Sequence, residues 1–255
     1  MARLGVFVLF IFLASCGAKP LLPNMEPGET GRVVKIIDGD ALVLESGQSV
    51  RLVSIEAPVL YPRDRSPDAH AAESARALED MALGRQVQLF YPGLTRDHYD
   101  RALAHVVTTD GRGPQLWLNA EMVERGAARV RLYPDTAARG DELLVMEADA
   151  RAERRGIWAT SRYALQDAAV LPETVSGFRF VRAELGEILP LEDETRFAPA
   201  CRRALLGAVF KLDIRRDART ACGLADGTVV EIRGRVREGV LELTYPRHLQ
   251  ILSPD

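Results

Sequence analysis

Lysine is nearly missing from this sequence: of 33 basic residues only Lys19, Lys35 and Lys211 are lysines, and the rest are arginines. Set against 36 acidic residues they leave a net charge of −3, which excludes a broadly cationic face gripping duplex nucleic acid through its phosphates alone. Phosphate chemistry here has to rest on a few aimed guanidiniums. Histidine is scarce too. His70, His98, His105 and His248 show no zinc-ligand spacing, and there is no Gly-x-Ser-x-Gly elbow or phosphate-cradling glycine loop. Aromatic residues make up 6% of the chain, and Trp117 and Trp158 read as core residues rather than stacking platforms. Tyr133, just before Pro134, is a candidate for stacking on a base. The one marked apolar run, Leu4 to Leu13, is too short to span a bilayer. What is present is core material. Hydrophobic residues are 47% and charged residues 27% of 255, which suits one or two globular domains and excludes bulk disorder.

The apolar run follows Arg3 and leads into Leu13-Ala14-Ser15-Cys16-Gly17, so residues 1–15 read as a signal peptide. The small residues before Cys16 resemble the lipobox of bacterial lipoproteins, in which the cysteine is lipidated and anchors the protein in the membrane. An ordinary secretory signal is the alternative, and both export the chain. Gly17 after the cysteine favours the outer membrane, facing the periplasm. With Cys16 acylated, Cys201 and Cys222 remain as an even pair in an oxidising compartment and are expected to bridge, the alternative being two free buried cysteines.

Residues 16–31, with Pro20, Pro23, Pro27 and Gly28, read as a tether. Residues 32–160 form the first domain. Its strands are expected at 33–37, 41–44, 50–55, 86–91 and 102–108, the first three split by the turn pairs Asp38-Gly39 and Ser46-Gly47. Helices are expected at 68–83, 119–125 and 136–155. A five-stranded meander with a helix after the third strand is the pattern of an OB barrel, so the fold class is α+β, mainly β. Residues 167–178 read as a linker. Residues 178–255 form a small β-rich second domain, possibly OB-like, with strands near 178–183, 208–214, 229–236 and 240–245. No internal repeat is visible.

Three segments carry the chemistry: Ile37-Asp38-Gly39-Asp40 at the first hairpin turn, Val50-Arg51-Leu52-Val53-Ser54-Ile55-Glu56-Ala57-Pro58 leaving the third strand, and Asp97-His98-Tyr99-Asp100-Arg101 opening the fifth. Each alone is an ordinary turn or strand end. Together, and with Gly156-Ile157-Trp158 closing the region, they resemble the staphylococcal nuclease (thermonuclease) family over residues 32–158. That resemblance implies a calcium ion held by Asp40, Glu56 and the Ala57 carbonyl. It also implies Arg51 and Arg101 as the catalytic groups on the scissile phosphate, and Tyr99 against the nucleotide. The implied activity is metal-dependent hydrolysis of phosphodiester bonds in single-stranded or denatured DNA or in RNA. No protein partner is implied.

The sequence departs from the family pattern at three positions. Glu56 stands where aspartate is usual, and Asp100 replaces the glycine usual before the arginine. Val59 occupies the position of the glutamate that serves the attacking water, and valine cannot act as a base. Asp64, Asp68 or Glu73 are the nearby carboxylates for that role. A catalytically degenerate module that binds nucleic acid or an envelope partner is therefore the alternative to an enzyme.

Overall fold

Alternation of apolar and polar residues at period two builds the first barrel. The computed structural model describes residues 21–63, 65–191 and 198–252; the signal segment, Cys16 and Asp64 lie outside the described residues. The first half of the chain runs β1 (Glu26–Asp38), β2 (Ala41–Leu44), β3 (Ser49–Leu52), β4 (Ile55–Glu56), α1 (Ala71–Ala82), β5 (Gln86–Tyr91), β6 (Ala102–Thr108), α2 (Leu118–Glu124), β7 (Arg129–Val130) and α3 (Gly140–Ala152). Strands β1-β2-β3-β6-β5 close into a barrel in which β3 and β6 run parallel. Val33, Leu42, Leu44, Val50, Leu52, Val87, Leu89 and Ala104 fill its core.

The tether expected through residue 31 is shorter than that. β1 begins at Glu26, and Pro27 pairs with Phe90 of β5 next to a register shift, where the strand tolerates a proline. Gly28 lies against the Tyr91 ring, with a Cβ there falling 2.2 Å from the ring, so the residue that suggested flexibility is a close-packing position. Leu22 is already buried in the same core. The helix expected over 136–155 starts later, at Gly140, because Arg139 adopts a left-handed conformation at φ 64° and separates it from a 3₁₀ turn at Pro134–Thr136.

The second half runs β8 (Leu165–Asp167), β9 (Gly177–Leu189), β10 (Cys201–Leu205), β11 (Lys211–Ile214), β12 (Val229–Arg237), β13 (Val240–Leu243) and β14 (Leu249–Ile251). β9-β10-β11-β13-β12 are neighbours in that order, β12 pairs back onto β9, and β11 and β13 are parallel. This is the strand order of the first barrel repeated, with the 3₁₀ segment Arg216–Gly223 standing where α1 stands in the first. The repeat lies in topology and not in residues. Part of the expected 167–178 linker belongs to this unit, since Ala168 and Leu171 are buried in its core. Cys201 on β10 is bonded to Cys222 in the 3₁₀ segment, with Cα atoms 6.1 Å apart.

The barrels are joined by buried polar contacts. Glu147 of α3, fully shielded from solvent, accepts the Val130 N–H at 2.7 Å and pairs with Arg233 of β12. Arg151 forms a two-pronged pair with Glu231 at 2.6 and 3.2 Å. His248 Nε2 accepts the Leu132 N–H at 3.0 Å, and Trp158 meets Phe180 edge-on at 5.3 Å.

Candidate active site

The site is built on the rim where β3 and β6 lie side by side. Their register pairs Arg51 with Leu103, and side chains two apart share a face, so Arg101 projects on the same side as Arg51. Both line one cleft of about 610 Å³, together with Leu103, Arg131, Tyr133 and Asp135. Arg101 is positioned by Asp97, whose Oδ2 accepts its Nε at 2.8 Å and whose Oδ1 accepts the backbone N–H groups of Tyr99 and Arg101. Between them Asp100 sits at φ 62°. This is the left-handed region that glycine enters freely and aspartate tolerates, which accounts for the departure at this position. Its carboxylate does not pair with Arg101; Asp97 does.

Asp40 follows the Asp38-Gly39 turn. Gly39 is needed for proximity, because a Cβ there would fall 1.8 Å from Ser74 Oγ of α1 and 2.7 Å from Ala57 Cβ. The turn is thereby pressed against the end of β4. The buried Asp40 carboxylate accepts the Ala57 N–H at 2.6 Å and pairs with Arg51. Arg51 keeps a quarter of its side chain exposed. Burial pushes the Asp40 carboxyl up to about 7, against the pull of Arg51 and with the added repulsion of Asp38. Glu56 has a different environment. It lies opposite Arg129 in the β4–β7 ladder and accepts from Arg129 at 2.9 Å and from Arg131. Burial works to raise its pKa, yet Arg129, Arg131 and Arg51 together hold it at about 2.

The donor set of Asp40, Glu56 and the Ala57 carbonyl is all hard oxygen, the chemistry that calcium takes. Both Asp40 oxygens are engaged, by Arg51 and the Ala57 N–H, and Glu56 is held by two arginines, so a cation bound here would compete with these contacts. Among the described residues no three His, Cys, Asp or Glu side chains converge on one point. Arg129 and Arg131, which hold Glu56, are the residues sequence reasoning missed; the signal available was the Arg-Val-Arg alternation on one strand face.

Tyr99 is two-thirds exposed, packs on His98 and lies 5.6 Å from the Arg101 guanidinium carbon, outside the cleft lining. Tyr133 is in the lining. Of the described residues between 60 and 73, none lines this cleft. Glu73 is exposed on α1. Asp68 binds the Val59 N–H at 3.0 Å but is claimed by Arg65 at 2.6 Å and Arg162 at 3.3 Å. Trp117 and Trp158 are buried, as their reading as core residues requires.

Residues 49–160 match the family model described as staphylococcal nuclease homologue. The chain is similar to a thermonuclease of Staphylococcus hyicus, 22% identical over 139 residues, and to a thermonuclease of Staphylococcus intermedius, 25% identical over 136. These alignments cover 51% of this chain and 76% and 77% of those proteins. It is also similar to Protein ParB of Escherichia coli, 35% identical over 136 residues, covering 51% of this chain and 72% of that protein. With the closed barrel and the matched segments, these similarities show that the chain belongs to the staphylococcal nuclease homologue family.

Proposed function

We propose that this chain is a phosphodiester hydrolase acting on single-stranded nucleic acid, denatured DNA or RNA, in the bacterial cell envelope. The observation that carries the reading is that Arg51 and Arg101 open into one cleft beside the buried Asp40. Two guanidiniums there offer planar paired donors to a phosphate and keep their protons at any working pH. They stabilise charge on the phosphoryl oxygens as it builds in the transition state. Asp97 holds Arg101 in register, so little of that arrangement has to be organised at the moment of reaction. Tyr133 supplies a face for a base beside the phosphate. A calcium ion held by Asp40, Glu56 and the Ala57 carbonyl would add charge neutralisation and lower the pKa of a water molecule.

Export through residues 1–15 and anchoring through lipid on Cys16 are part of the same reading. The Cys201–Cys222 bond, which suits an oxidising compartment, supports it. Digestion of denatured DNA by the purified protein, in calcium and then in excess chelator, tests the enzyme reading. Cleavage in calcium that stops with chelator is the expected result, and no cleavage in either contradicts it. One observation favours a second reading, a binding module: Val59 leaves the base position empty, and Asp68 beside it is held by two arginines. A protein that binds denatured DNA and never cuts it would establish that alternative.

A further inference from the structure

A second cavity, of about 310 Å³, lies between the two barrels on the far side of Glu56. Its size falls in the range of ligand sites, about 300–1,000 Å³. Five guanidiniums line it, those of Arg65, Arg129, Arg162, Arg179 and Arg235, against the carboxylates Glu56 and Asp68. Arg65 and Arg162 are shared with Asp68, and Arg129 with Glu56. Arg179 of β9 donates only to the backbone carbonyl of Phe178, and neither it nor Arg235 of β12 forms an ion pair among the described residues. Burial and the neighbouring Arg162 and Arg129 lower the Arg179 pKa, the direction expected where like charges crowd without an anion between them.

Two further features bear on what fills the cavity. Phe178 and Tyr163 share its lining, and Arg129 lies 3.6 Å from the Phe178 ring centre. Aromatic faces beside guanidiniums are how single strands are held without sequence preference. The wall between the two cavities is the Glu56 cluster itself. Arg131 faces the first cleft, Arg129 faces the second, and both grip the same carboxylate. Ala57 and Val59 line the second cavity too, so it meets the candidate reaction centre from behind.

We propose that the cavity between the barrels is a second phosphate-binding subsite, where Arg179 and Arg235 hold the backbone of the same single strand whose scissile phosphate lies at Arg51 and Arg101. The subsite rests on the nucleic-acid reading above and assigns the second barrel a role in holding substrate.

Binding of a fluorescein-labelled 16-residue oligothymidylate to the full chain in detergent, with chelator present to prevent cleavage, tests it. The paired change Arg179→Gln and Arg235→Gln should weaken binding about 10-fold or more and reduce the salt slope by about 1.4, at roughly 0.7 per lost single-strand phosphate contact. Arg179→Lys with Arg235→Lys should restore most of the affinity. Arg51→Gln with Arg101→Gln serves as the separate arm. If that pair leaves binding unchanged, the nucleic-acid reading of the first cleft fails. If the Arg179 and Arg235 pair leaves both affinity and salt slope unchanged, the subsite fails. A measurement on the unsubstituted protein guards against a variant that does not fold. Photocrosslinking of a 4-thiothymidine 16-mer should mark Tyr163 or Phe178, and adducts confined to the first barrel overturn the proposal.

Discussion

Asp40 is buried and Glu56 partly so, and their surroundings push the two carboxylates in opposite directions. Asp40 has one arginine and a second carboxylate nearby, and burial raises it to about 7. Glu56 has Arg129 and Arg131 and stays ionised down to about 2. Burial thus works against the charged form of Asp40, while Glu56 anchors two arginines that each face a different cavity. The departure from the family pattern at Val59 belongs to the same scale. The Val59 N–H is tied to Asp68, and its side chain lines the second cavity beside Ala57 rather than the Arg51–Arg101 cleft. On the family pattern, Val59→Glu is expected to raise the rate of nucleic-acid cleavage by about 10²-fold or more, the size of a general-base contribution. Val59 also lines the second cavity, so the new carboxylate is expected to weaken binding in chelator somewhat. Rates measured on labelled single-stranded oligonucleotide check this, and an unchanged rate would mean that another group already serves the water.

At the scale of elements, β7 and α3 connect the two halves of the molecule. Val130 is bonded to Glu147, Leu132 to His248 of the second barrel, and the arginines on either side of Val130 reach Glu56. His248 is held neutral: burial first, then Arg233, Arg131 and Arg129, lower it to about 3. His105 is likewise lowered to about 4 by burial; its Nδ1 accepts from Trp117 and its Nε2 meets the Ala138 carbonyl. In the unfolded chain both return to about 6.5. Between that pH and the folded values the unfolded state binds the extra protons, so stability is full above about 6.5 and falls as pH drops. Each histidine contributes a slope of up to about 1.4 kcal/mol per pH unit in that window. His105→Gln should remove one proton's share of the slope, measured as urea stability from pH 7 to pH 4.5, and an unchanged slope contradicts the assignment. Most of the first barrel was legible in the sequence because its strands alternate cleanly and its turns carry Asp-Gly and Ser-Gly. β10 was not, since Arg203 takes a core position and is satisfied by the Gly186 and Leu224 carbonyls and by Asp226, which hides the alternation. The Arg51–Arg101 pairing was legible through the family motifs. The Glu56 cluster was not, because β7 is two residues long and joins β4 across 75 residues of chain.

The whole molecule is two barrels of one topology, the first carrying the family motifs and the second closing over the Glu56 side of them. Their interface combines ion pairs, as in Glu147–Arg233 and Arg151–Glu231, with a buried apolar cluster of Ala150, Ile157, Trp158, Tyr163 and Phe180. At this scale the proposed place of the chain in the envelope rests on Cys16. Cys16→Ser is expected to release the protein from the membrane fraction or block its maturation, because stable anchoring needs more than one acyl chain and a bacterial lipoprotein carries them on that residue. Unchanged fractionation would show that something other than lipid holds the protein. The central claim concerns the first cleft, and the cleavage rate of a labelled single-stranded oligonucleotide in calcium tests it most directly, compared among the unsubstituted protein, Arg51→Gln and Arg101→Gln. Loss of either guanidinium removes a donor aimed at transition-state charge and is expected to lower kcat by about 10²-fold or more. Arg101→Gln is expected to fold normally, its side chain being a third exposed, whereas Arg51→Gln leaves the buried Asp40 without its partner and its stability is measured alongside the rate. Cleavage that continues at the original rate in both folded variants would contradict the account.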